Sequence, residues 1–192
     1  MAETMRSLLL GLGACILAVI AACTQSSGAH PASSSVALAP HISQDELSVA
    51  RYVGKPCDLL GDEQLHNLGV TGPGVVEGSA CQWTPEGAVW PPFHASVDVT
   101  SGGLEQLYRH RTTSSVFEPT QISGYPAVNT AENSTKRRQG QCTTQIGVAQ
   151  TALLLVSVNR ADLTSSAEDR DPCHDVDLIA MSVMATLKKS SP

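Results

Sequence analysis

The 192-residue sequence has no excess of positive charge, no Cys-x-x-Cys, no Gly-x-Ser-x-Gly, no internal repeat and no apolar run of membrane-spanning length. Each absence removes a class of function. With 12 basic against 18 acidic residues and a formal charge of −6, a nucleic-acid partner and adsorption to anionic lipid through a basic patch are both disfavoured. The two basic clusters, Arg109-His110-Arg111 and Lys136-Arg137-Arg138, lack the interleaved aromatics of a nucleic-acid groove and read as solvated charge runs. Without Cys-x-x-Cys or regular histidine spacing, no zinc site is expected, nor any other metal or cofactor. Ser79 and Ser123 precede Ala80 and Gly124 without the strand-to-helix elbow of a serine hydrolase. Asp58, Asp62 and Glu63 stand at helix starts, where carboxylates serve as caps and dipole partners. His66, His94 and His110 are isolated, and His174 and Asp175 read as surface residues in the first turn of a last helix. No reaction mechanism emerges, and a non-enzyme is expected.

What is present begins at the N-terminus. Arg6 supplies a positive region, diluted by Glu3, and Ser7 to Ala22 form a nearly unbroken apolar stretch. That is the length of a secretory leader and falls short of the ~20 residues a spanning helix needs. No positive stop-transfer cluster follows it. The stretch ends in Ile20-Ala21-Ala22-Cys23, where small and aliphatic residues precede a cysteine as in a lipoprotein cleavage site. Residues 1–22 are therefore expected to be removed. Cys23 is expected to carry the lipid through a thioether and to hold the chain at the outer face of the cell membrane. Each buried methylene adds ~0.8 kcal/mol, so two or three acyl chains anchor firmly where one does not. Residues 23–42, rich in Ser, Ala and Pro, read as a flexible tether of about 25 Å reach. Residues 43–192 read as one globular domain.

With Cys15 in the leader and Cys23 lipidated, Cys57, Cys81, Cys142 and Cys173 remain, an even number in an exported chain. Four cysteines allow three pairings. The sequential pairing, Cys57–Cys81 and Cys142–Cys173, joins a helix edge to a strand close in sequence each time. Each loop is worth roughly 3.5 kcal/mol on the chain-entropy model.

Along the domain, Ser43 to Tyr52 reads as a short helix with Ser43 as cap and Glu46 three residues on. Leu59, Leu60, Leu65 and Leu68 then recur at helical spacing, capped by Asp58 or Asp62 and stopped at Gly69. Cys81 and Trp83 share one face of a strand. His94 to Thr100 alternates cleanly, and Ser101 is placed to cap a helix through Tyr108. Gly124 to Val128 reads as an edge strand because Pro126 cannot donate to a ladder, and Glu132 to Gln141 as a loop. Cys142, Thr144, Ile146 and Val148 share a core face, and Ala152 to Val158 is apolar on both faces, as a central strand would be. Asp171, Pro172 and the 3.6 periodicity of Val176, Ile179, Ala180, Val183 and Leu187 define a final helix. The order argues an α+β fold, an antiparallel sheet of four to five strands with helices packed on it.

Pro56-Cys57-Asp58-Leu59-Leu60, Cys81-x-Trp83, Gly124-Tyr125-Pro126-Ala127, mid-strand Cys142 and Asp171-Pro172-Cys173 occur in that order. The whole resembles the actinobacterial lipoproteins grouped as "domain of unknown function 3558", over roughly residues 50–187. The resemblance implies a cell-envelope lipoprotein with two disulfides, and it transfers no catalytic residue. Trp90 and Phe93, in Trp90-Pro91-Pro92-Phe93, are the candidate contact surface if their rings are exposed; the alternative is rings folded onto the sheet edge. The expected role is a binding domain for an envelope protein, glycan or lipid. A carrier of a small apolar ligand in an internal cavity is the second reading, and an envelope enzyme the third.

Overall fold

A computed structural model describes residues 38–87, 89–111, 116–160 and 170–191, all within the compact unit Ser35–Pro192. The leader, Cys23 and most of the tether lie outside the described residues.

Among the described residues seven antiparallel strands form one sheet in the order β1-β2-β3-β7-β6-β5-β4. They are β1 (Val75–Glu77), β2 (Ala80–Trp83), β3 (Phe93–Asp98), β4 (Val116–Ile122), β5 (Tyr125–Ala131), β6 (Gln141–Ala149) and β7 (Ala152–Asn159). Among the described residues four α-helices accompany them: α1 (Asp62–Asn67), α2 (Gly103–Arg109), α3 (Ser134–Arg138) and α4 (Pro172–Ser190). The sheet thus exceeds the four to five strands expected. The additions are β1, whose three residues are all exposed, and β4. The central position of β7 accounts for its apolar sequence, since α4 lies on one face of the sheet and α2 on the other.

The core lies between the sheet and α4. Trp83, Phe93, Val158 and Cys142 are aligned across β2, β3, β7 and β6, and all four are buried. Val176, Ile179, Ala180, Val183 and Leu187 of α4 are fully buried, as their spacing requires. On the second face, Leu104 and Tyr108 of α2 cover Val128 and Leu153.

Several local expectations are corrected. Gly124 to Val128 does not begin an edge strand, because β5 lies between β4 and β6. Ile122 and Tyr125 close a two-residue turn, so the alternation of the ladder turns the Pro126 nitrogen away from β4. The β6 register begins only at Ala127, and the missing donor costs nothing there. The edge strand is β4, and the same alternation points the nitrogen of Pro119 at the free edge.

Ser43 to Tyr52 is not a helix beyond a 3-10 turn at Ala50–Tyr52. Its groups bond across the fold instead: Leu47 N–H donates to the Val148 carbonyl at 2.9 Å, Glu46 accepts the Gln150 amide, and the Tyr125 hydroxyl donates to the Asp45 carbonyl. Neither Asp58 nor Asp62 caps α1, whose N-cap is Gly61, while Gly69 stops it at φ 69° as expected. Ser101 is not the α2 cap; Gly102 is, at φ 85°. The stretch Glu132 to Gln141 contains α3, capped by the Asn133 side chain accepting from the Lys136 amide.

Candidate functional site

Two regions gather polar side chains. The first lies beneath the leading end of α4. Asp171 caps the helix by accepting the Cys173 amide at 3.0 Å, and Pro172 follows at the first helical position. Cys173 is bonded to Cys142 of β6 across a Cα separation of 5.2 Å, and Cys57 to Cys81 across 5.0 Å, the sequential pairing. Arg137, at the end of α3, pairs with both Glu118 of β4 and Asp171. Burial alone would raise the Asp171 carboxyl, but Arg137 and the Cys173 amide outweigh it and hold the group below its ordinary range. The same bonds, to Asp171 first and Glu118 second, raise Arg137.

Deeper, the Thr144 hydroxyl lies 2.7 Å from both Asn129 Oδ1 and Asp177 Oδ1, and Asn129 Nδ2 donates to Asp177 Oδ2 at 3.2 Å. These groups lie level with apolar Ala95 and Val156 on the α4 face of the sheet. A buried hydroxyl and amide there are tolerated because they bond one another and the helix carboxylate.

Asp175 is not a surface residue. Its side chain is 0% exposed and pairs with Arg160, itself 5% exposed, at the end of β7. Burial, and then the nearby charge of Arg170, lower the Arg160 guanidinium. His174 is exposed as expected. Lys136-Arg137-Arg138 is not simply a solvated run, since Arg137 is bonded into two elements. Sequence reasoning gave no role to Arg160, Arg170 or Asn129. The one available signal was Thr144, a hydroxyl on the core face of a strand and hence in need of a partner.

The second region is the other face of β2, β3, β7 and β6. Gln82, His94, Ser157 and Thr143 are direct neighbours across these four strands, and all are half-buried. His94 Nε2 lies 3.5 Å from Glu77 of the edge strand. Gln145, beside Thr143, donates to Thr130. The row therefore offers amide, imidazole and hydroxyl groups, and no lysine or arginine.

Phe93 is not part of a contact surface. It is fully buried and stacked on Trp83 at 5.4 Å between centroids, while Trp90 is half-buried against the same core. Asp58, Asp62, Glu63 and His66 are exposed on and before α1. Ser79 and Ser123 occupy the β1–β2 and β4–β5 turns. His110 is exposed and bonds the Gln106 carbonyl. A pocket of about 270 Å³ opens between residues 38–42 and the start of α2, lined by Leu38, Ile42, Leu104, Glu105 and Gln150. Among the described residues no group of three or more His, Cys, Asp or Glu could hold a metal ion, and no helix is long and apolar enough to cross a membrane.

A family model described as "Protein of unknown function (DUF3558)" matches residues 18–186. No curated protein and no solved structure matches the chain.

Proposed function

The chain belongs to the DUF3558 family, and for this member we propose an exported, non-enzymatic binding domain held at the outer face of the cell membrane by lipid on Cys23. The observation that carries the binding reading is the half-buried polar row Gln82, His94, Ser157 and Thr143, which runs across four adjacent strands on the sheet face opposite α4. The acidic groups at the start of α4 are, by contrast, engaged within the fold. The partner class this row fits is an envelope glycan. Its donors and acceptors are amide, hydroxyl and imidazole groups, which suit hydroxyl partners. It lacks the cations that recognise lipid phosphate and the large aromatics that dominate protein-protein hot spots. The N-terminal Ile20-Ala21-Ala22-Cys23 supports the anchor.

Two experiments test the two halves. A Cys23→Ala chain should leave the membrane fraction and lose metabolic acyl label; undiminished retention removes the anchor. The released chain should cosediment with purified cell-wall glycan, and a His94→Ala, Ser157→Ala double variant should bind at least tenfold more weakly. Binding that is absent, or equal in both chains, removes the glycan reading.

A further inference from the structure

The connection from β7 to α4 leaves the sheet at Arg160 and enters the helix after Arg170, and both guanidinium groups reach one carboxylate. Arg160 Nη2 pairs with Asp175 Oδ2, and Arg170 Nη1 lies 3.5 Å from Asp175 Oδ1. The two arms are unequal, since the Arg160 side chain is 5% exposed and that of Arg170 is 48% exposed. We infer that Asp175 is a two-armed clasp between the end of β7 and the turn that enters α4, with an inner arm that is a fixed part of the fold and an outer arm that opens as salt rises.

The inner arm is fixed from several sides. The Arg160 amide donates to the Gly140 carbonyl at 3.0 Å, and Gly140, at φ 85°, leaves no room for a Cβ against the Arg160 side chain. Separating Arg160 from Asp175 would strand a buried carboxylate, which is strongly unfavourable. The outer arm has no such penalty. Arg160 already matches the charge of Asp175, so release of Arg170 leaves no buried charge uncompensated. A half-exposed guanidinium is open to screening, and the Debye length shrinks from about 10 Å at 0.1 M salt to about 3 Å at 1 M. Ionic strength thereby sets how firmly the turn entering α4 is held, while the core of the helix stays docked through Cys173 and Asp177.

The test is hydrogen exchange in the full chain at the amides of Cys173 and His174, which bond Asp171 in the first turn of the helix. Raising NaCl from about 0.05 M to about 1 M should speed exchange roughly two- to fivefold, in keeping with the weakness of exposed pairs. Arg137–Asp171 is also half-exposed and contributes its own salt response, so the Arg170→Gln variant is the deciding comparison. It should exchange faster at low salt and respond less to salt than wild type, with an unchanged urea midpoint confirming that it folds. No salt response in wild type, or the same response in both chains, overturns the clasp.

Discussion

Arg160 and Asp175 face each other inside the protein, 5% and 0% exposed, at the junction of the central strand β7 and the helix α4. A buried ion pair is weak support for stability as a pair, but removing one partner leaves the other charged in a dry site. Asp175→Asn is therefore expected to destabilise the fold by about 3–5 kcal/mol. An Arg160→Met, Asp175→Leu double variant should recover most of that loss. Urea denaturation of the three chains measures both; a single variant within 1 kcal/mol of wild type contradicts the sealed pair.

Two glycines near the first disulfide should respond unequally to the same change. A Cβ on Gly74 would lie 2.3 Å from Cys81 Sγ and 2.6 Å from Trp83 Nε1, whereas one on Gly72 would meet nothing within 4 Å. Gly74→Ala is expected to cost about 1–3 kcal/mol and to alter Trp83 fluorescence. Gly72→Ala should lie within about 0.5 kcal/mol of wild type. Equal midpoints for the two variants would contradict the packing of Gly74 onto the bridge.

The β4–β5 turn holds Ser123 at φ 53° and Gly124 at φ 90°, so both central residues are left-handed. Two-residue turns of this hand favour Asn-Gly, and only the Ser123 backbone carbonyl is used, by Lys188 at 2.7 Å. Ser123→Asn should raise stability by about 0.5 kcal/mol, read as a shift in thermal midpoint. A lower midpoint would speak against the turn.

Asp171 should shape the acid limb of stability. Its folded pKa lies below the ordinary carboxylate value, so its contribution is complete above the unfolded pKa, near 4, and is lost as pH falls through the folded value. Asp171→Asn should flatten the fall in stability below about pH 4. At neutral pH it should cost less than about 1 kcal/mol, because asparagine can still cap and the Arg137 pair is half-exposed. An acid limb identical to wild type contradicts the assignment.

The legible parts of the fold were those with a strong period. Cys142, Thr144, Ile146 and Val148 alternate inward along β6, and Val176 to Leu187 repeat at helical spacing along α4. β1 carried no such signal, because Val75 and Val76 are both exposed and only three residues pair. β4 was masked by Glu118 and Pro119, which suit a free edge and read locally as a loop. Ser43 to Glu46 resembled a capping box, yet Glu46 is drawn to the Gln150 amide, a tertiary partner outweighing local preference. Asp175 was the clearest miss in the site. An acid in a first helical turn reads as a dipole partner, and only the return of the chain at Arg160 buries it.

The order of the strands also governs how the chain assembles. β1 to β3 form one consecutive hairpin set, and β4 to β7 a second. Among the described residues the only ladder between them is β3 against β7, where Phe93 pairs with Val158. Each set can form from near neighbours, whereas their seam closes a much longer loop and is expected to be the entropically demanding step. Destabilising substitutions confined to that seam, such as Val97→Ala, at a residue that pairs with Leu154 of β7 and lies beyond the β2 register, should slow refolding as well as weaken the native state. Equivalent changes at the outer β1–β2 pair should act mainly on unfolding, which stopped-flow kinetics distinguish.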